Sequence, residues 1–296
     1  MSAAVTAALR FSGHDVIDLD IAATPTVGVA VRHLGAAGGV IVTASHNDER
    51  WNALKFLGPA GEFIDAAAVE RIRSRFDGGD SLFGPPGGIG SYERFGGADG
   101  VHIELIEGLP FIDAESIRAS RLAAVVDCVN GAGSRIVPAL LERLGIETFE
   151  LYTDVNAPFP RDPEPRPELL GELADEVRAR GADIGFALDP DADRLVVVDG
   201  EGTVLSEELT LALAVDFVLA RERGPVVANL STTRRIDDIA RAHGVPAYRT
   251  KVGEANVIAE MKARAAVVGG EGNGGVVYPP VHYGRDAMTA MALILQ

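Results

Sequence analysis

The chain has 296 residues, 47% hydrophobic and 24% charged, which is enough material for about two compact domains or more. Its net charge of −16 excludes a nonspecific nucleic-acid binder, because no cationic surplus exists to displace counterions from a polyphosphate. Every long apolar run is broken by charge or glycine, so nothing reads as a signal peptide or membrane span, and the single cysteine, Cys128, excludes an internal disulfide framework.

The 34 glycines and 16 prolines supply many turns. Residues 3–11 read as a helix stopped by Gly13, 16–21 as a strand, and 24–34 as a helix with Pro25 in its first turn. The apolar run Val40-Ile41-Val42 reads as a buried strand that stops at Thr43-Ala44-Ser45-His46-Asn47. Short strands at 53–56 and 63–64 follow, then a helix over 66–76 with Val69, Ile72 and Phe76 as its apolar positions. Residues 77–100 are rich in Gly and Pro without a period and read as an irregular connector. A helix over about 101–109 and a turn at Pro110 lead into the next block.

That block runs strand 123–129, loop Asn130-Gly131-Ala132-Gly133, helix 135–144 capped by Gly145 and strand 146–151. A proline-rich loop over 156–167, helix 169–180 and strands 184–188 and 195–198 complete it. Cys128, inside the apolar run 123–129, reads as core packing. A third block repeats the rhythm with helix 207–221, strand 226–230, helix 236–243, strand 247–249, helix 255–263, strands 266–268 and 276–278, and a last helix from about 285. Such alternation predicts consecutive α/β domains with a parallel-sheet pattern, divided at 1–112, 113–203 and 204–296.

Ser45 falls at the carboxyl edge of a sheet, where open α/β folds bind ligands. The strongest local motif is Asp189-x-Asp191-x-Asp193: in an extended loop alternate side chains point one way, so three carboxylates can meet a hard cation such as Mg²⁺ or Ca²⁺. An EF-hand is excluded, since Arg194 stands where glycine is required and Gly200 where the bidentate Glu belongs. A phosphatase with an aspartyl nucleophile stays open. Two unit charges about 4 Å apart interact by about 4 kcal/mol at an effective dielectric of about 20. Three carboxylates therefore repel a phosphate unless a divalent ion sits between, and with that ion they clamp a phosphoryl group. Ser45-His46 lacks the Gly-x-Ser-x-Gly elbow of an acyl hydrolase, so a serine that accepts and donates a phosphoryl group fits better. Further on, the glycines around Glu271 allow close backbone approach, and Glu271 and Asn273 can read sugar hydroxyls. Lys55, Lys251, Arg194 and Arg285 are candidate phosphate or acid/base partners.

Together these pieces resemble the α-D-phosphohexomutase family of phosphoglucosamine mutases, phosphomannomutases and phosphoglucomutases. The matching residues are Thr43-Ala44-Ser45-His46-Asn47, Trp51-Asn52-Ala53-Leu54-Lys55, Asn130-Gly131-Ala132-Gly133, Asp189 through Arg194, Lys251-Val252-Gly253 and Gly270-Glu271-Gly272-Asn273-Gly274-Gly275, in family order over nearly the whole chain.

The resemblance implies consecutive αβ domains with mixed, mostly parallel sheets of the phosphohexomutase type. It implies interconversion of hexose 6-phosphate and hexose 1-phosphate through a phosphoserine at Ser45 and a hexose 1,6-bisphosphate. Ser45, His46 and Lys55 are then catalytic, and Ser45 with Asp189, Asp191 and Asp193 holds one Mg²⁺ per site. Arg194, Lys251, Gly253, Glu271, Asn273 and Gly274 bind the substrate. The partner is a small phosphosugar rather than nucleic acid or membrane, in a cytoplasmic protein, with homo-oligomerisation open. Asp48 stands where the family usually has proline, and residues 229–234 lack the lysine of better-studied members. The family's opening strand is expected before residue 1, and its fourth domain, with an Arg-x-Ser-Gly-Thr-Glu-Pro phosphate loop, after Gln296. Competing readings are a metal-dependent sugar-phosphate phosphatase and an inactive fragment.

Overall fold

The computed structural model describes residues 1–45, 47, 50–79 and 88–296. Helix α1 (Ser2–Phe11) and strand β1 (Val16–Asp18) open the chain, followed by α2 (Thr24–His33), β2 (Gly39–Thr43), β3 (Ala53–Leu57), α3 (Ala66–Asp77), β4 (Tyr92–Arg94), α4 (Ala98–Glu107) and α5 (Ala114–Ser120). The middle block comprises β5 (Ala123–Asp127), α6 (Gly133–Leu144), β6 (Glu147–Leu151), a 3₁₀ turn at Pro167–Leu169, α7 (Gly171–Arg180), β7 (Ile184–Leu188) and β8 (Leu195–Asp199). The last block comprises α8 (Glu207–Leu219), β9 (Val226–Asn229), α9 (Arg235–Ala242), β10 (Ala247–Thr250), α10 (Glu254–Arg264), β11 (Val268–Glu271), β12 (Gly275–Val277) and α11 (Ala287–Leu295).

The last two blocks share one plan. Their sheets run β6-β5-β7-β8 and β10-β9-β11-β12, three parallel strands followed by an antiparallel edge. The mixed, mostly parallel α/β fold is therefore what the chain adopts. In the first block β2 pairs antiparallel with β3, while β1 pairs parallel with β4 as a separate ribbon.

Burial on both faces explains why the middle strands are apolar without alternation. Val126 and Phe186 pack with Ile136, Val137 and Leu140 of α6, whereas Val125 and Ala187 pack with Leu173 and Val177 of α7. Cys128 is fully buried in the first of these clusters, as expected. Gly145 and Gly181 end α6 and α7 in left-handed conformations, at φ 75° and 64°.

Several local expectations need correction. Residues 92–94 were expected to be irregular but form β4; pairing with β1, rather than any apolar alternation, holds a strand whose three residues are all exposed. The first strand ends at Asp18, short of 21, and α5 forms where no helix was expected, with Asp113 accepting hydrogen bonds from the Glu115 and Ser116 amides. Helix α3 forms as expected, yet none of its residues is buried. No helix among the described residues is long and apolar enough to cross a membrane.

Candidate active site

Strand β2 ends at Thr43, and Ser45 then turns into the left-handed region at φ 54°. The Thr43 hydroxyl organises this turn, accepting the Ser45 N–H at 2.8 Å and donating to Asp191 Oδ1 at 2.6 Å. Across the hairpin, Lys55 pairs in register with Ile41. Its Nζ lies 3.5 Å from Ser45 Oγ, 2.5 Å from Asp191 Oδ2 and 4.0 Å from Asp193 Oδ2. Burial alone would lower the Lys55 pKa, but the Asp191 and Asp193 carboxylates outweigh it and hold it above its ordinary value.

The three aspartates follow β7 and are all buried. They are not gathered by an extended loop, as the alternation argument expected. The Ala192 N–H closes a turn onto the Asp189 carbonyl at 3.1 Å, with Ala192 itself at φ 55°. Asp189 Oδ1 accepts the N–H groups of Asp193 and Arg194, at 3.1 and 3.2 Å. Neighbouring backbone grips the turn: Thr24 N donates to the Asp191 carbonyl at 2.9 Å, Ala132 N to Pro190 at 2.7 Å and Ala287 N to Ala192 at 3.3 Å. Here the Asn-Gly-Ala-Gly motif finds its use, because a Cβ on Gly131 would stand 2.6 Å from the Pro190 Cα.

Among the described residues no group of three or more His, Cys, Asp or Glu side chains stands as a ready metal-ligand set. Asp191 accepts hydrogen bonds from Thr43 on Oδ1 and from Lys55 on Oδ2. The donor chemistry still fits a hard divalent ion. Asp189 Oδ2 and Asp193 Oδ1 are buried carboxylate oxygens without a hydrogen-bond partner. Burial, and after it the Asp193 and Asp191 charges, push the Asp189 pKa well up. For Asp193 burial acts in the same direction, but Arg285, Lys55 and Arg194 overcome it and the pKa is lowered.

Glu271 closes β11 rather than lying in the loop beyond it. Its Oε1 accepts from Asn229 Nδ2 at 2.7 Å and from Gly253 N at 3.0 Å, and its Oε2 from Arg285 Nη1 at 3.0 Å. Gly274 accepts the Leu195 N–H at 3.1 Å, which ties the glycine-rich loop to the residue after the aspartate turn; a Cβ at 274 would meet the Leu195 carbonyl oxygen at 2.4 Å. Asn273 Oδ1 is buried without a partner, and Arg194 Nη1 pairs with Glu164 Oε1 at 2.9 Å.

The structure thus brings together Ser45, Lys55, the three aspartates, Arg194, Gly253, Glu271 and Gly274. Lys251 is exposed and lines a separate groove of about 390 Å³ with Arg249, Thr250 and Asn256. His46 and Asp48 lie outside the described residues. Sequence reasoning missed Thr24, Thr43 and Glu254; Thr43 stood inside the serine motif, but only the fold shows its hydroxyl aimed at Asp191.

The chain is thus a series of consecutive α/β units that bring a strand-end serine, a lysine and a buried aspartate turn to one place. Models of the phosphoglucomutase/phosphomannomutase α/β/α domains I, II and III match residues 1–82, 101–202 and 206–296. The chain is 36% identical over 297 residues to a phosphoglucomutase/phosphomannomutase of Thermococcus kodakarensis, covering 99% of this chain and 64% of that protein. It is also 36% identical over 295 residues to a probable phosphoglucosamine mutase of Methanopyrus kandleri, with the same coverage of 99% and 64%. A solved phosphoglucomutase/phosphomannomutase family protein of Burkholderia thailandensis superposes with a TM-score of 0.83 at 28% identity, over 97% of this chain and 63% of that one. The chain belongs to the α-D-phosphohexomutase family, and it spans about 64% of the length of these two sequence relatives.

Proposed function

We propose that the chain carries the phosphoserine and metal site of a phosphohexose mutase, an isomerase that interconverts hexose 6-phosphate and hexose 1-phosphate through a hexose 1,6-bisphosphate. The observation that carries this reading is the position of Lys55 Nζ, shared between Ser45 Oγ and Asp191 Oδ2. It puts a hydroxyl able to bear a phosphoryl group beside a fixed cation and a buried carboxylate turn.

In this reading Ser45 Oγ passes its phosphoryl group to a sugar hydroxyl, and the other phosphate of the reoriented bisphosphate returns to Ser45. Lys55 holds positive charge against the transferring oxygens, and burial of the aspartate turn strengthens that attraction by excluding water. Asp189, Asp191 and Asp193 with the Ser45 phosphate would hold one Mg²⁺, which supplies neutralisation of the phosphoryl oxygens when bound. Asp189 Oδ2 and Asp193 Oδ1 are the oxygens best placed by chemistry for that role. Arg194, Lys251, Gly253, Glu271, Asn273 and Gly274 are the substrate-binding residues of this reading, and His46, next to Ser45 in sequence, is a catalytic one. Divisions at 112/113 and 203/204, a cytoplasmic setting and a small phosphosugar partner belong to the same reading.

The test is incubation of the chain with the 1-phosphates of glucosamine, mannose and glucose, with catalytic hexose 1,6-bisphosphate, followed by phosphorus NMR and intact mass. One phosphoryl group on the parent, none on Ser45→Ala, and formation of a 6-phosphate isomer are expected. Free phosphate as the product, or equal turnover by Ser45→Ala, refutes the reading.

A further inference from the structure

Arg285 is 9% exposed, and its guanidinium meets carboxylates from three separate segments. Nη2 donates to Asp193 Oδ2 at 2.7 Å, Nη1 to Glu271 Oε2 at 3.0 Å and Nε to Glu254 Oε2 at 3.1 Å. Its backbone N–H donates to Glu254 Oε1 at 3.0 Å, so Glu254 grips the residue at both ends. Gly275 makes room for the stem, because a Cβ there would stand 2.3 Å from Arg285 Cδ. Burial would lower the Arg285 pKa, but Asp193, Glu254 and Glu271 outweigh it and keep the guanidinium ionised.

A planar fork can hold three carboxylates at fixed angles, whereas an ammonium is a point charge that can swing among them. At Asp193 this has a geometric result. With Oδ2 bound by Arg285, the carboxylate cannot rotate freely, and Oδ1, which makes no hydrogen bond and lies 3.9 Å from Arg194 Nε, is the oxygen it offers. Asp189 is arranged alike, its Oδ1 held by backbone N–H groups and its Oδ2 left over.

We propose that Arg285 is a positioning residue of this site: it fixes which oxygen of Asp193 faces the divalent cation and locks that orientation to Glu271 of the glycine-rich loop. This rests on the reading of the aspartate turn as a metal site. Arg285 acts through Asp193, whose Oδ2 it holds at 2.7 Å.

The experiment is Mn²⁺ binding to the chain, followed by electron paramagnetic resonance, for the parent, Arg285→Lys, Asp193→Asn and the double variant, with circular dichroism to establish folding. Arg285→Lys keeps the charge and loses the fork, so Mn²⁺ binding should weaken by about tenfold or more. The loss should vanish in the Asp193→Asn background, where there is no longer a carboxylate to orient; a purely structural role would give the same loss in both backgrounds. Unchanged Mn²⁺ affinity in folded Arg285→Lys, or an equal loss in the Asp193→Asn background, overturns the proposal. Should Arg285→Lys fail to fold, Glu254→Gln keeps the guanidinium and weakens its anchor: about threefold weaker binding supports the proposal, and unchanged binding overturns it. A parent that binds no Mn²⁺ refutes the metal reading itself. A parent that binds while folded Arg285→Lys is unaffected refutes only the role of Arg285.

Discussion

Lys55 and Asp191, 136 positions apart in the chain, meet at 2.5 Å, and the same ammonium lies 3.5 Å from the Ser45 hydroxyl. This contact joins the serine hairpin to the aspartate turn. Replacing Lys55 by Met leaves Asp191 in a buried acidic pocket without its cation, a loss of about 2 kcal/mol for a pair whose lysine is partly solvated. Urea unfolding should show that loss in chelator and a smaller one at saturating Mg²⁺, because a bound divalent ion replaces the missing charge. Equal losses under both conditions would argue against a cation site at the turn.

Gly131→Ala should destabilise the protein by about 1–3 kcal/mol, the range for overpacking. The new Cβ would stand 2.6 Å from the Pro190 Cα and 2.7 Å from its carbonyl oxygen, both backbone atoms that can yield only by moving the aspartate turn. Gly171→Ala is the matched control. It opens α7, has nothing within 4 Å of the new methyl, and should be neutral or stabilising by up to about 1 kcal/mol. Thermal unfolding of the two variants checks the contrast.

Asp286 should contribute to the response to acid. It caps α11 by accepting the Met288 and Thr289 N–H groups, and its Oδ2 lies 2.9 Å from His102 Nε2. Burial would raise its pKa, but His102 and His282 overcome that and hold it far below the carboxylate range. Because the folded value is depressed, the stabilisation is complete above the unfolded value of about 3.9 and is lost as pH falls toward the folded one. Unfolding free energy should therefore fall below about pH 4, with a shallower acid slope in Asp286→Asn. An identical slope in the two proteins would contradict this.

Cys128 should be chemically silent. Its thiol is fully buried, and burial, with Asp127 and Glu150 nearby, pushes its pKa up, so the reactive thiolate is scarce. Ellman's reagent should modify the folded protein about 100-fold or more slowly than the urea-unfolded chain. Comparable rates would mean that the middle sheet opens readily.

Much of the site was legible because it is written in short motifs whose chemistry is local. Ser45 after an apolar run, and three aspartates within five residues, announce a strand-end site without any knowledge of packing. The way the aspartates come together was not legible: alanine rarely adopts positive φ, and the left-handed Ala192 that closes the turn carries no mark in composition. Arg285 could be picked out as a spare cation, but not its partners. Asp193 is 92 positions away and Glu254 is 31, and only the folded chain brings them together around Arg285. Strand β4 was hidden for a related reason, since its three exposed residues gain their order from pairing with β1.

The fit of Arg285 over Gly275 also sets a rule for how this chain can drift. With Arg285 in place, a methyl at position 275 would lie 2.3 Å from its Cδ, so the glycine is held by a side chain ten positions downstream rather than by its own backbone angles. Positions 275 and 285 should therefore change together. A lineage that trades the arginine for a shorter residue frees position 275 to carry a side chain, and until that trade is made the glycine stays.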